Sequence, residues 1–200
     1  MGRGLVKAIV LLGLGIALTK APLRAQAVFG LHGGVAVPVG DFGDIADVGF
    51  GGAASLGVML SDSWLLKGEA GYWRFTKEVD LITTGGGVTI DVEGAVVPLR
   101  AGVRKYWGES KRFFTGPSLG IYIPTSDLDA IDPKFGIGPQ IGYRFPSSES
   151  MSIDLIVELQ TIFIGDSNPL TDEDRVFFDD SKIMWFSAGL GITFGSIGGS

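Results

Sequence analysis

The sequence predicts an all-β fold, an eight-stranded antiparallel up-and-down transmembrane β-barrel. Apolar residues alternate with small or polar residues through eight segments, as in strands whose two faces meet different surroundings. The connections between these segments are alternately short and long, which is typical of barrels that cross a membrane. Glycine makes up 32 of the 200 residues without the Gly-X-Y period of collagen, which indicates an ordered fold that needs small side chains.

The N-terminal segment has the three parts of a secretory signal peptide. Arg3 and Lys7 precede an apolar run at 8–18, and Ala25-Gln26-Ala27 supplies the small residues of a cleavage site. The apolar run is about half the length that a helix needs to span a bilayer. We therefore predict three regions: a signal peptide over 1–27, an outer-membrane β-barrel over 28–194, and a short C-terminal extension over 195–200.

Composition and charge exclude several classes of protein. The chain has no Cys, which excludes disulfides, thiolate metal sites and Cys nucleophiles. Removal of 1–27 leaves 12 basic and 22 acidic residues, a net charge of −10, and we therefore expect no nucleic-acid partner. Most of the acids lie in the long connections, where they would hold divalent cations, form an interaction surface or only add solvated charge. No connection has the spacing of a calcium motif, so we predict no metal and no cofactor.

The eight predicted strands are separated by three short turns and four long connections. The strands lie at 28–38, 49–60, 64–75, 88–107, 113–123, 135–145, 151–164 and 182–194. The short turns are 61–63, 108–112 and 146–150, and the long connections are 39–48, 76–87, 124–134 and 165–181. In the fourth segment the apolar parity changes between Val92 and Val97, which predicts a β-bulge near 93–96.

The strand at 151–164 shows why one face of each strand is assigned to lipid. Its odd positions are apolar almost throughout, while Asp154 and Glu158 fall on the opposite face. A soluble sandwich rarely aims two acids from one strand at its core. The apolar faces are therefore predicted to contact lipid, and the other faces to line a lumen. A soluble ligand-binding barrel is the alternative, and it requires polar residues on the faces assigned here to lipid.

Aromatic and charged side chains define two candidate sites. Aromatic residues at the strand ends beside the short turns predict an interfacial girdle, comprising Trp64, Trp107, Phe113, Phe145 and Phe194. Charged residues of the opposite parity would face a lumen that eight strands leave just wide enough for side chains, so these charges must pair. This lumen charge network comprises Lys67, Glu69, Arg100, Arg104, Arg144, Asp154 and Glu158.

Catalytic templates fit the sequence poorly. His32 is the only histidine; its parity directs it into the lumen, and no Ser aligns with it as a nucleophile. Asp154 and Glu158 lie four positions apart on one strand, about 13 Å, which is too far for the carboxyl pair of a glycosidase. We predict that the protein is not an enzyme.

The opening residues 30–38 with 40–44, and the closing strand 186–194, resemble small outer-membrane β-barrel proteins of the OmpA, OmpX and OmpW kind. The resemblance covers essentially all of 28–194, and the closing strand is similar to the signal that the barrel-insertion machinery reads. One departure is that the chain continues past Phe194, where such proteins usually end.

This resemblance implies an outer-membrane location after signal removal, with outer-membrane lipids and the insertion machinery as partners. From the charges and the missing catalytic templates, we predict a structural or surface-interaction role without covalent chemistry. Passage or binding of small apolar molecules, as in OmpW-like proteins, is the alternative, and a lipid-modifying enzyme is the third. A wall opened near Pro98, Pro117 and Pro139 would favour passage, because proline interrupts ladder hydrogen bonds. The surface partner is not named by the sequence.

Overall fold

A computed structural model of the chain describes residues 26–83, 86–125, 133–163 and 182–195, with the backbone alone over 78–83 and 86–92. Most of the predicted signal peptide, nearly all of the C-terminal extension and the whole 165–181 connection therefore lie outside the described residues. Within the described ranges, no helix has both the length and the hydropathy to cross a membrane.

The described residues form a single ring of antiparallel strands. Ten hydrogen-bonded stretches and one short helix build it: β1 (Ala27–Val39), α1 (Asp41–Ile45), β2 (Gly49–Ser61), β3 (Trp64–Thr83), β4 (Gly86–Trp107), β5 (Phe113–Gly116), β6 (Ser118–Thr125), β7 (Lys134–Ile137), β8 (Gln140–Pro146), β9 (Met151–Phe163) and β10 (Lys182–Phe194). Because β1 pairs with both β2 and β10, the ring closes and has no open edge. The predicted eight-stranded up-and-down barrel is confirmed.

Two of the eight wall strands are each divided by a proline. β5 and β6 continue one another around Pro117, and β7 and β8 continue one another around Pro139. The β5–β8 and β6–β7 pairings have the same register, so each divided strand acts as one wall strand. The ladder continues beside the prolines, since the Ser118 and Gly138 N–H groups each donate to the other residue's carbonyl, at 3.0 and 2.8 Å. The wall is therefore hydrogen-bonded on both sides of this proline pair.

The outer surface of the ring is an apolar belt. Its outward positions hold large apolar side chains that are widely exposed, such as Leu56 at 67% and Leu190 at 61%. A soluble protein rarely exposes a continuous apolar surface of this extent, whereas a lipid-facing barrel requires it. The ring is therefore a membrane-spanning barrel.

Glycines on the inner face make room for large side chains from neighbouring strands. A Cβ built on Gly51 would lie 2.6 Å from the Trp73 ring, and one on Gly138 would lie 3.0 Å from Nη1 of Arg100. Both distances are too short for an ordinary contact. The excess of glycine in the sequence thus serves the packing of a narrow interior.

Of the four long connections, 39–48 and 76–87 differ from the prediction, while most of 124–134 and all of 165–181 lie outside the described residues. The connection at 39–48 contains α1, which begins after Gly40 at φ +63°. The segment predicted as a connection at 76–87 is mostly strand, because β3 and β4 remain paired out to Thr83 and Gly86. Residues 75–83 and 86–94 extend beyond the described ends of β2 and β6 as a two-stranded ribbon, which we name the hairpin arm.

The bulge predicted near 93–96 is wrong. The β3–β4 register is unbroken there, from Thr76 opposite Glu93 to Trp73 opposite Val96. Val92 belongs to the hairpin arm, beyond the ring, where the division between lipid and lumen no longer dictates which positions are apolar. The register shift lies instead at the end of β2, between Met59 and Ser61.

Candidate functional site

The middle of the barrel interior holds a layer of buried charges. The inward positions of β3, β4, β8 and β9 supply it, since alternate residues of a strand point to the same face. All seven residues of the predicted lumen charge network lie in this layer, each with at most 7% of its surface exposed: Lys67, Glu69, Arg100, Arg104, Arg144, Asp154 and Glu158.

One half of the layer is centred on Arg100. Its Nη2 donates to Glu69, and its Nη1 lies 2.8 Å from Oε1 of Glu158, an ion pair whose angles fall outside those of a hydrogen bond. Lys67 Nζ donates to the other oxygen of Glu69 at 2.7 Å. Arg100 therefore bridges two carboxylates from β3 and β9.

The other half is centred on Asp154, which is fully buried. Arg144 donates to both of its carboxylate oxygens at 2.8 Å, from Nε and Nη2. Arg104 Nη1 and the Thr193 hydroxyl donate to Oδ2 at 3.1 and 3.0 Å. Four hydrogen bonds and two cations offset the cost of removing this carboxylate from water.

Neutral side chains join the two halves. Gln140 Oε1 accepts hydrogen bonds from Arg104 at 2.9 Å and from Lys67 at 3.4 Å. Tyr122 donates to Gln160 above them. Strand parity directs Thr193, Gln140 and Gln160 into the lumen as well, and the structure shows that they are hydrogen-bond partners in this layer.

An apolar layer lies on each side of the charges: a lower layer at the short-turn end of the barrel and an upper layer at the long-connection end. Beside the short turns the buried layer consists of Val28, Met59, Leu65, Tyr106, Phe114 and Ile156. Beside the long connections it consists of Ala36, Ala46, Trp73, Phe75, Val96, Tyr122, Ile162 and Trp185. The Arg104 guanidinium stacks over Phe114 at 4.0 Å, so the charged layer is in direct contact with the lower apolar layer.

The short helix α1 covers the upper apolar layer. Its Phe42 ring lies 5.0 Å from Phe75 and 6.2 Å from Trp185, between ring centroids. The Asp47 N–H donates to the Thr76 carbonyl, and Lys77 Nζ donates to the Asp47 carboxylate. These contacts tie the β1–β2 connection across the mouth of the barrel.

His32 lies on the inner face, as its parity predicts, close to Glu69 and Glu158. One candidate ligand atom from each of the three lies within 4.8 Å of the others, the geometry of a possible metal site. However, Arg100 pairs with both carboxylates, and Lys67 is bound to Glu69. A divalent cation would have to displace these charges, so the local electrostatics disfavour it.

The five residues of the predicted aromatic girdle all lie on the outer face at the short-turn end. Their exposed fractions run from 40% to 50%. The rings of Phe194 and Phe29 stack at 6.3 Å between centroids, and those of Phe145 and Tyr143 meet at 4.9 Å. Their depth in a bilayer stays a prediction.

No protein-family model and no curated protein matches this sequence. Among solved structures, the chain is similar to the Neisserial surface protein A, NspA, with a TM-score of 0.55 and 12% identity over 85% of this chain and 96% of that one. It also matches the outer membrane protein OprG from Pseudomonas aeruginosa, with a TM-score of 0.47 and 16% identity over 85% and 97% of the two chains.

The likeness to NspA and the closed ring support the same conclusion. Both have the fold of a small β-barrel, and the apolar belt of this chain is the surface that such a barrel presents to lipid. The charged, filled interior takes the place that a water-filled channel has in larger barrels. The chain is therefore a small, eight-stranded β-barrel of the outer-membrane type.

Proposed function

We propose that this protein is an outer-membrane barrel with a filled interior and that it has a structural or surface-interaction role without covalent chemistry. In this role the barrel holds the long connections at the membrane surface. The filled interior is the observation that carries the proposal. An apolar layer lies at each end, and all seven network charges between them pair with an opposite charge. Among the described residues, such an interior favours a barrel without a continuous aqueous path.

The hairpin arm supports a display role. Nine residues of β3, 75–83, run beyond the last residue of β2 that pairs with β3, and at about 3.4 Å per residue the arm projects roughly 30 Å. Exposed ion pairs lie near its base, between Arg74 and Glu93 and between Lys77 and Asp47. The arm lies on the side of the long connections, where most of the acidic residues fall.

Conductance in a planar bilayer tests the filled interior. We expect the purified monomer to give at most small, flickering currents, because water and ions must displace two apolar layers and a paired charge layer. The same recording on a porin of known conductance controls for insertion. Stable steps of porin size from this chain would contradict the proposal.

Passage of small apolar molecules is a second candidate, favoured by a groove on the outer wall. The groove has a volume of about 800 Å³, and its lining includes Leu31, Tyr72 and Ile192 beside Gly33 and Gly52. An Ala54→Leu variant would fill it from the lipid side, because Ala54 lines the groove at an exposed outward position and already carries a Cβ. If passage occurs here, uptake of a small hydrocarbon into reconstituted vesicles should fall in this variant; unchanged uptake removes the candidate.

A further inference from the structure

Lys105 occupies an unusual place on the outside of the barrel. Its position in β4 is outward by alternation, and it pairs directly with Trp64 on β3. Among the described strand side chains, the other outward charges, Arg74, Glu93 and Lys182, lie at the opposite mouth or in the hairpin arm. Lys105 therefore places one positive charge at the edge of the apolar belt.

Two tryptophans enclose this charge. The Lys105 ammonium lies 4.3 Å from the centroid of the Trp107 ring and 5.1 Å from that of the Trp64 ring. Ring faces attract a cation but do not neutralise it. Thr115, directly opposite Lys105 on β5, accepts a hydrogen bond from Trp107 Nε1 at 2.9 Å and keeps its own hydroxyl hydrogen as a donor.

The described part of the chain gives Lys105 no carboxylate partner. The ion pairs of that part involve other residues. The two neighbouring short turns add Lys111 and Arg112 against Asp62 and Glu109, so together with Lys105 the local charge is positive by one. A membrane supplies anions at this depth in the form of lipid phosphates, which attract basic residues at the surface.

We propose that Lys105, Trp64, Trp107 and Thr115 form a binding site for the phosphate of an anionic phospholipid. The ammonium contacts the phosphate, the Thr115 hydroxyl donates to it, and the two rings flank the lipid where headgroup meets acyl chain. The inference rests on the membrane-spanning barrel of the proposed function.

Quenching of tryptophan fluorescence tests the site. The full chain is reconstituted into phosphatidylcholine vesicles that carry a small fraction of either phosphatidylglycerol or phosphatidylcholine with the same spin label near the headgroup. The chain has four tryptophans; Trp73 and Trp185 are buried inside the barrel, so Trp64 and Trp107 report on lipid. We expect labelled phosphatidylglycerol to quench more, and Lys105→Gln to lose this preference by about fivefold.

Two further variants separate a site from general attraction. Lys105→Arg should retain the preference, and Arg112→Gln, which removes an exposed charge from the same hairpin, should lower it far less than Lys105→Gln. Equal losses in Lys105→Gln and Arg112→Gln would overturn the inference, as would an unchanged preference in Lys105→Gln. Quenching by both lipids without any preference defeats this site alone, whereas no quenching by either lipid defeats the membrane-spanning barrel itself.

Discussion

Arg100 and Arg104 lie at equally buried inward positions of β4. Removing each arginine leaves its carboxylate partner with a different number of remaining donors. Among the described residues, Glu158 forms its ion pair with Arg100 alone. Asp154, by contrast, keeps Arg144 and Thr193 if Arg104 is removed. A buried carboxylate without a partner is far more costly than one that loses one of several donors.

Arg100→Ala should therefore destabilise the barrel by roughly 3–5 kcal/mol, and Arg104→Ala by less. Urea unfolding of the folded protein in lipid vesicles measures both, with exposed Arg112→Ala as the control. If neither buried variant changes the free energy of unfolding, water reaches these charges and the interior is not dry.

Stability should also depend on the small size of the inner-face glycines. Gly51→Val should destabilise the barrel by about 1–3 kcal/mol, because its side chain overlaps the buried Trp73 ring. Gly68→Val on the outer face is the matched control, since a Cβ there meets nothing within 4 Å. Equal stability of the two variants, in the same unfolding assay, would mean that Trp73 is free to move away.

The two ends of the barrel are built from different elements. Beside the short turns, tight connections such as 62–63 leave little chain outside the belt. Beside the long connections, α1 folds over the mouth and the hairpin arm projects. Barrels of this type insert with their short turns in the periplasm, so the two ends should differ in exposure to the exterior.

Protease added to intact cells should cut within 165–181 and spare 146–150. Trypsin sharpens the test, because Arg175 lies in the long connection while Lys111 and Arg112 lie in a short turn. We expect cleavage at Arg175 alone among these three sites, read by mass spectrometry of the fragments, with lysed cells as the control. Cleavage confined to the short turns would invert the orientation.

At the scale of the whole molecule, closure of β1 against β10 leaves the ring of described residues, below the hairpin arm, without a free strand edge. Unfolding therefore requires the loss of a complete ladder of hydrogen bonds in a surround that offers no replacement partners. We expect the protein to fractionate with outer membranes and to migrate differently on a gel before and after boiling in detergent. Recovery as a soluble periplasmic protein, with one mobility in both samples, would contradict a membrane-spanning barrel.

The sequence by itself determined the eight strands, the face of each strand that meets lipid, and the seven charges that point inward. It did so because strand side chains alternate with a period of two, and lipid and lumen select opposite residue types at every step. The same reasoning failed in the hairpin arm, where the chain leaves the ring and that selection ends.

Only the tertiary structure decided which of these charges meet and what encloses them. Arg104 and Asp154 are 50 residues apart, and Gln140 on a third strand bridges Arg104 to Lys67. Parity gives the direction of a side chain but not its height, which depends on strand register and on the tilt that closes the ring. For the same reason, the apolar layers and the enclosure of Lys105 by Trp64 and Trp107 emerge only when the strands are placed side by side.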